Sequence, residues 1–313
     1  MEKTAFVYHP DTVLHNAGPM HPERPDRVRA IVTHLEGTGL LNDLLRIEPG
    51  PADEAWITRV HPPEYVRLIE KAASEAPAAL DADTRVSKES FRVARLAVGG
   101  ALAAVDAVME GKAKNAFPAV RPPGHHASAA RAMGFCLLNN IAVAARCVQD
   151  KYGLKRVLIV DWDVHHGNGT QDIFYADPSV LYFSTHQYPH YPGTGSEGET
   201  GEGPGKGFTV NAPLPAGAGD EEVIQAFREK LVPAAGKFQP EFVLISAGFD
   251  GHERDPLAGL RLTEVGFAEL TRIVMEIAGK SAKGRVVSLL EGGYDLEGLS
   301  RSVEAHLRAL AGL

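Results

Sequence analysis

Val157-Leu158-Ile159-Val160 runs directly into Asp161-Trp162-Asp163-Val164-His165-His166-Gly167-Asn168. An unbroken apolar run rich in β-branched residues belongs in a parallel sheet covered on both faces, so the chain must supply layers on either side of it. Where the run stops, five ionisable or amide side chains fall within eight positions. A strand running into a loop delivers them to the carboxyl edge of the sheet, where open α/β sheets bind ligands. Asp163 and His165, two apart on extended backbone, point to the same side and can share one divalent metal. Asp161 has the same parity and is available as a supporting partner. A solvated polar turn is the plain alternative for a lone Asp or His, and this density of ionisable groups disfavours it.

The rest of the chain supplies the layers that such a strand needs. Further strands are predicted at 4–8, 116–120, 180–183, 208–210, 242–245 and 286–290. Helices are predicted at 25–36, 53–60, 63–74, 87–110, 139–151, 220–235, 263–280 and 296–309. This alternation predicts one undivided three-layer α/β domain over residues 1–313 with a mostly parallel sheet. With 313 residues and 44% hydrophobic composition, a large core can be buried. Helix 87–110 carries Val93, Leu96, Ala97, Gly100, Ala101, Ala104, Val105 and Val108 at helical spacing and reads as a core helix. The glycine-rich stretch from Gly193 to Gly207 reads as a mobile surface loop. Cys136 and Cys147 have no metal-like spacing, which favours a reduced, cytoplasmic setting. The N-terminus lacks a signal-like apolar region and no window is long enough to span a bilayer, so neither secretion nor a membrane is expected. A net charge of −8 without a basic run argues against nucleic acid as the main partner.

Three more clusters fall at strand ends. Arg121-Pro122-Pro123-Gly124-His125-His126 follows Phe117-Pro118-Ala119-Val120, and its prolines fix the backbone where two adjacent imidazoles occur. Such a pair is also a common chance surface feature. Phe242 to Ile245 leads to Ser246-Ala247-Gly248-Phe249-Asp250, and Asp250 can complete a metal site or simply cap a turn. Val286 to Leu290 leads to Glu291-Gly292-Gly293-Tyr294, whose glycines let backbone pass close to a substrate while Tyr294 turns inwards or anchors a loop. An early loop, His15 to Pro25, is rich in turn formers and suits either a site wall or a plain connection.

Taken together, these residues resemble the histone deacetylase superfamily. The resemblance is carried by His21-Pro22-Glu23-Arg24-Pro25, RPPGHHA at 121–127, GFCLLNNIAVAA at 134–145, DWDVHHGNGTQ at 161–171, PGTG at 192–195, SAGFD at 246–250 and EGGY at 291–294. Asn139-Asn140 and Asn168, where class I members carry Asp at the second of each, make it similar to the class II and bacterial acetylpolyamine or acetoin-utilisation branch. The fold implied is the arginase-deacetylase α/β fold, an eight-stranded parallel sheet between helices.

The resemblance implies a zinc-dependent deacetylase acting on acetylated lysine or related acetylated amines. Asp163, His165 and Asp250 are its zinc ligands, one zinc per chain, with a position left open for water and the carbonyl. His126 is the general base and the acid for the leaving amine, paired with Asn168. His125, oriented by Asp161, gives electrostatic support, and Tyr294 donates to the tetrahedral oxyanion. Phe135 and Tyr191 wall an acyl-lysine tunnel whose backbone contact is Gly134, with Gly293 and Leu257 also placed there. Arg24 matches an arginine near an acetate exit path, with a surface ion pair as an equal alternative. A structural potassium is implied at Asp161, Ser184 and Thr185, with backbone carbonyls of Asp163 and His165. A second monovalent site is implied near Phe174, Asp177, Val180 and Phe208. In the polyamine-selective branch a glutamate stands where this chain has Leu257, so charge selection of polyamines is not expected there. Two other readings stay open. Ureohydrolases of this fold hold two manganese ions through extra carboxylates, and here the corresponding positions read His166-Gly167 and His252. A catalytically silent acyl-lysine binder needs the tunnel and not His125, His126 and Tyr294. A homo-oligomer is left open by the sequence.

Overall fold

Strands are interspersed with helices in the computed structural model, which describes residues 3–313. In order they are β1 (Ala5–Val7), α1 (Asp26–Gly37), β2 (Leu45–Ile47), α2 (Glu54–Ile57), α3 (Pro63–Ser74), the hairpin β3 (Ala78–Ala79) and β4 (Arg85–Val86), α4 (Ser90–Met109), β5 (Ala116–Pro118) and α5 (Asn140–Asp150). The second half continues with β6 (Val157–Asp161), α6 (Asn168–Phe174), β7 (Val180–Gln187), β8 (Thr209–Leu214), α7 (Asp220–Ala226), α8 (Val232–Phe238), β9 (Phe242–Ala247), α9 (Glu264–Ser281), β10 (Val286–Leu290) and α10 (Leu296–Ala311).

Eight strands form one sheet in the order β2-β1-β5-β10-β9-β6-β7-β8, and every pairing is parallel. The apolar run Val157–Val160 lies well inside it, between β9 and β7. Its side chains alternate as the pleat requires: Leu158 and Val160 join the core under α1, α9 and α10, whereas Val157 and Ile159 join the one under α4 and α5. Each such fully buried aliphatic side chain contributes about 1.5–3 kcal/mol, so the two faces fix which residue ends where. In that register Asp161 stands opposite Ser246 on β9 and Ser184 on β7. Polar side chains thus begin at one level across three strands.

The structure departs from the sequence reading in a few elements. β2 and the hairpin were not expected, because two- or three-residue strands with exposed members carry no legible period. Asn168 opens a short helix, α6, rather than lying in a loop. The helix expected at 220–235 is interrupted at Phe227–Leu231 by one wider, π-type turn just before Pro233, whose missing N–H and ring disfavour regular α geometry. Gly193–Gly207 is tied down rather than free: Glu199 accepts from the Gly195 and Ser196 amides, and His186 Nε2 lies 2.8 Å from the Gly195 carbonyl oxygen.

One buried ionic group joins the early loop to the sheet. Glu23 accepts from Arg121 Nε at 2.6 Å and Nη2 at 2.7 Å, and Arg27 Nη1 lies 3.3 Å away. Burial opposes the charge on Glu23, but Arg121, His15 and Arg27 outweigh it and hold its carboxyl well below the usual range. Its contribution to stability is therefore complete above the ordinary Glu value of about 4.3 and is lost as pH falls from there toward the folded value.

Candidate metal centre and acyl tunnel

Asp163 and His165 leave the end of β6, and Asp250 leaves the end of β9 beside it. The three are buried, with one potential ligand atom from each lying within 4.8 Å of the others. His165 Nδ1 sits 3.1 Å from Asp163 Oδ1 and 3.2 Å from Asp250 Oδ2. Atoms bound tetrahedrally to one zinc at 2.0–2.2 Å stand roughly 3.3–3.6 Å apart, so the set is already close to that spacing. The other carboxylate oxygens are used internally: Asp163 Oδ2 accepts from Gly292 N at 2.8 Å and Asp250 Oδ1 from Val164 N at 2.9 Å. Asp250 Oδ2 is buried with no hydrogen-bond partner among the described residues. An orphaned carboxylate oxygen aimed at an Asp and a His is the donor set of a divalent metal. Burial and the charge of Asp163 push Asp250 up to about 7, whereas burial of His165 is outweighed by the two carboxylates, which raise it to about 10. The cluster is thus short of positive charge. It also leaves no room for a side chain at Gly292, where a Cβ would lie 2.0 Å from Asp250 Oδ2.

Two imidazoles flank this centre with opposite partners. His125 Nδ1 lies 3.1 Å from Asp161 Oδ2, which also accepts from Tyr182 Oη at 3.2 Å. Burial disfavours its charge, but Asp163 and Asp161 outweigh burial and hold it well above its ordinary value. His126 Nδ1 lies 2.8 Å from Asn168 Oδ1. An amide oxygen can only accept, so Nδ1 carries the proton and Nε2 keeps its lone pair. Burial, then His125 and His165, keep this ring well below its ordinary value and therefore neutral.

A narrow cavity of about 180 Å³ leads to these groups, walled by Phe135, Tyr191, His190 and Leu257, with Tyr294, His126 and His165 at its lining. Gly134 and Phe135 both take left-handed backbone, φ +56° and +68°. At Gly134 a Cβ would lie 2.4 Å from His126 Cδ2, so only glycine fits. The hairpin tip holds this strained turn: Asp83 Oδ1 accepts from Gly134 N at 3.3 Å and Thr84 Oγ1 from Phe135 N at 3.1 Å. Burial raises the Tyr294 hydroxyl well above its ordinary value, so it stays a donor. Arg27 lies 4.9 Å from the centre of its ring.

Of the residues singled out in the sequence, Asp163, His165, Asp250, His125, His126, Asp161, Asn168, Tyr294, Gly134, Phe135, Tyr191 and Leu257 fall in this one region. Ser184 faces Asp161 across the sheet and lies 2.8 Å from His186 Nδ1; Thr185 is buried beside it. The Phe174 and Asp177 carbonyls close the end of α6, accepting from Asp177 N at 3.0 Å and Val180 N at 3.4 Å. Gly293 does not line the cavity: its carbonyl accepts from Arg27 Nε at 2.6 Å, and a Cβ there would meet Leu299. Arg24 is at the surface, 3.7 Å from Asp26, so the ion-pair alternative describes it. The buried arginine is Arg27, in the first turn of α1 just after that loop. Its spacing one helical turn from Glu23 was the available signal. Glu291 was also missed; it accepts from Gly124 N at 2.6 Å, His125 N at 3.2 Å and Ser246 Oγ at 3.1 Å, and burial pushes it up to about 7. His190 was missed because nothing in sequence announces its stacking on His165, with ring centres 5.2 Å apart.

Comparison with known proteins gives this arrangement relatives. The histone deacetylase domain family matches residues 21–310. A probable deacetylase of Archaeoglobus fulgidus is 43% identical, over 94% of this chain and 82% of its own length. The polyamine deacetylase HDAC10 of Homo sapiens is 42% identical over 99% of this chain, which spans 48% of that protein. Among solved structures, the HDA15 HD domain has a TM-score of 0.94 at 41% identity, covering 100% of this chain and 90% of that one.

The crowding at Gly292 makes metal binding testable apart from turnover. Gly292→Ala should lower zinc affinity at least tenfold in a chelator competition while the far-ultraviolet circular dichroism is kept. Unchanged affinity would mean that these carboxylates do not hold the metal.

Proposed function

The chain belongs to the histone deacetylase family and is a deacetylase, and we propose that its preferred substrates are acyl-lysine-type amides rather than acetylated polyamines. The observation that carries this reading is the narrow tunnel ending at His126, His165 and Tyr294 with Leu257 in its wall. A cavity of about 180 Å³ walled by Phe135 and Tyr191 suits one linear, neutral stem, and leucine at position 257 offers an ammonium no counter-charge. Of the acids that could replace it, Asp81 pairs with Arg131 at 3.1 Å, whereas Asp83 accepts only from the neutral Thr84 hydroxyl and Gly134 amide and Glu253 is exposed.

The family is zinc-dependent, and Asp163, His165 and Asp250 are the residues that would hold the ion. Bound there, zinc supplies Lewis acidity to the scissile carbonyl and to the attacking water. His126, neutral and with its Nε2 lone pair free, takes the proton from water and returns it to the departing amine nitrogen. His125, charged beside Asp161, stabilises negative charge as it develops and spreads the roles of two adjacent imidazoles apart. Tyr294 donates its hydroxyl to the oxygen that becomes anionic, and Arg27 against its ring and on the Gly293 carbonyl keeps that donor in place. Phe135 and Tyr191 bound the stem, and the Gly134 carbonyl accepts from the substrate amide. A potassium ion held by Asp161, Ser184 and Thr185 would stiffen the end of β6. Two buried, unpaired cysteines are in keeping with a reduced, cytoplasmic setting.

Tyr294→Phe should keep zinc and fold but lower kcat by about 10²–10³, as removal of one oxyanion donor does; activity within threefold of wild type would place that role elsewhere. Asn168→Asp gives His126 an anionic partner, so the acid limb of kcat/KM should move to higher pH by at least one unit. An unmoved limb would exclude His126 as the base. Wild-type kcat/KM for acetyl-lysine peptides should equal or exceed that for N-acetylspermidine, and Leu257→Glu should shift the ratio towards the polyamine. A wild-type preference of tenfold or more for N-acetylspermidine, about 1.4 kcal/mol, would overturn the selectivity reading.

A further inference from the structure

The hairpin β3–β4 has two sides, and only one belongs to the tunnel. Its tip holds the Gly134–Phe135 turn through Asp83 and Thr84. Its body walls a separate open groove of about 540 Å³, whose other wall is the loop from Asn16 to Pro19. The groove surface is largely apolar, built by Ala17, Pro19, Pro77, Ala78 and Val86, with Arg85 and Lys88 at its edge. Both cations are exposed, and neither forms an ion pair among the described residues. Of the nearby acids, Asp81 pairs with Arg131 and Glu89 with Arg92 at 2.8 Å, while Asp83 faces the tunnel, where it accepts from Thr84 and Gly134. On a protein of net charge −8, the charged side chains lining the groove itself are both cations.

The groove and the tunnel lie within a short length of chain. Asp83 lines the tunnel and Arg85, two residues on, lines the groove, which is roughly 7 Å at 3.3 Å per extended residue. A lysine side chain inserted in the tunnel leaves its own backbone at the mouth. Residues two to four positions along that backbone reach the groove at the same rise. A polycation such as an acetylated polyamine would meet Arg85 and Lys88 with like charge, whereas an acidic polypeptide would be attracted.

We propose that this groove is the track for the polypeptide flanking the acyl-lysine, and that Arg85 and Lys88 select segments with Asp or Glu two to four residues from the modified lysine. The proposal rests on the reading of the tunnel as an acyl-lysine slot. Apolar contact along the floor supplies sequence-tolerant binding, and the two cations supply the preference.

The test compares acetyl-lysine peptides carrying glutamate or lysine at the flanking positions, and a doubly capped acetyl-lysine without flanks, on the zinc-loaded wild type and on R85E/K88E. Wild-type kcat/KM should be about fivefold higher for the acidic peptide, the sum of two exposed ion pairs, and the difference should shrink as salt rises. In R85E/K88E the preference should invert, while the capped amino acid is turned over within twofold of wild type. The same flank preference in both proteins, or an equal loss on the capped amino acid, would overturn the groove's role. Hydrolysis of N-acetylspermidine without turnover of the capped amino acid or any peptide would overturn the acyl-lysine reading, and the groove proposal with it.

Discussion

Asp161, Asp163, Asp250 and Glu291 bring four carboxyl groups to the ends of three adjacent strands, each no more than 1% exposed. Taking an unpaired charge out of water costs several kcal/mol even after relaxation. Nearly every local feature of the site answers that cost. Backbone amides of Gly124, His125, Asp163, Val164, His165 and Gly292 donate to these oxygens. Gly248 and Gly292 are bare because a Cβ would enter the oxygens of Asp163 or Asp250. After this accounting one oxygen, Asp250 Oδ2, still lacks a partner. With the His165 ring 3.2 Å from it, this oxygen is where a cation held by Asp163, His165 and Asp250 would offset the buried charge.

The same demand explains how the walls are held. Tyr294 is held in place by Arg27, which anchors the backbone of Glu291 and Gly293 on one side and lies over the ring on the other. Arg27 can be buried only because Glu23 is, and Glu23 is satisfied by Arg121 from the segment that carries the two adjacent imidazoles. The early loop, the histidine pair and the final strand end are therefore one electrostatic unit. The hairpin plays the matching part across the tunnel, where Asp83 and Thr84 hold the left-handed Gly134–Phe135 turn.

Much of this was legible from residue order. Val157–Val160 and Phe242–Ile245 are uniformly apolar, and Val286–Leu290 is broken only by Ser288, whose hydroxyl is paired with His306; both faces of a parallel strand are covered, and each run became an interior strand followed by its polar group. Asp163, His165 and Asp250 could be placed together because strand ends share one edge of the sheet. The residues that escaped lack a periodic or local signature. β2 and the β3–β4 hairpin are too short to show a period. Arg24 and Arg27 differ by less than one helical turn, and only packing decides which is buried. Glu291 acts through three donors from other segments, so its role exists only in three dimensions. The π-type turn before Pro233 was signalled by the proline, but the apolar pattern around it reads as continuous helix.

Deacetylation as proposed requires one cation in the buried carboxylate cluster and hydrolysis of an amide there. Titrating the metal-free protein with zinc while measuring acetate released from an acetyl-lysine peptide tests both at once. Acetate release should rise in proportion to added zinc and level off at one equivalent per chain. No release at any ratio, or a rise that continues to two equivalents, would contradict it.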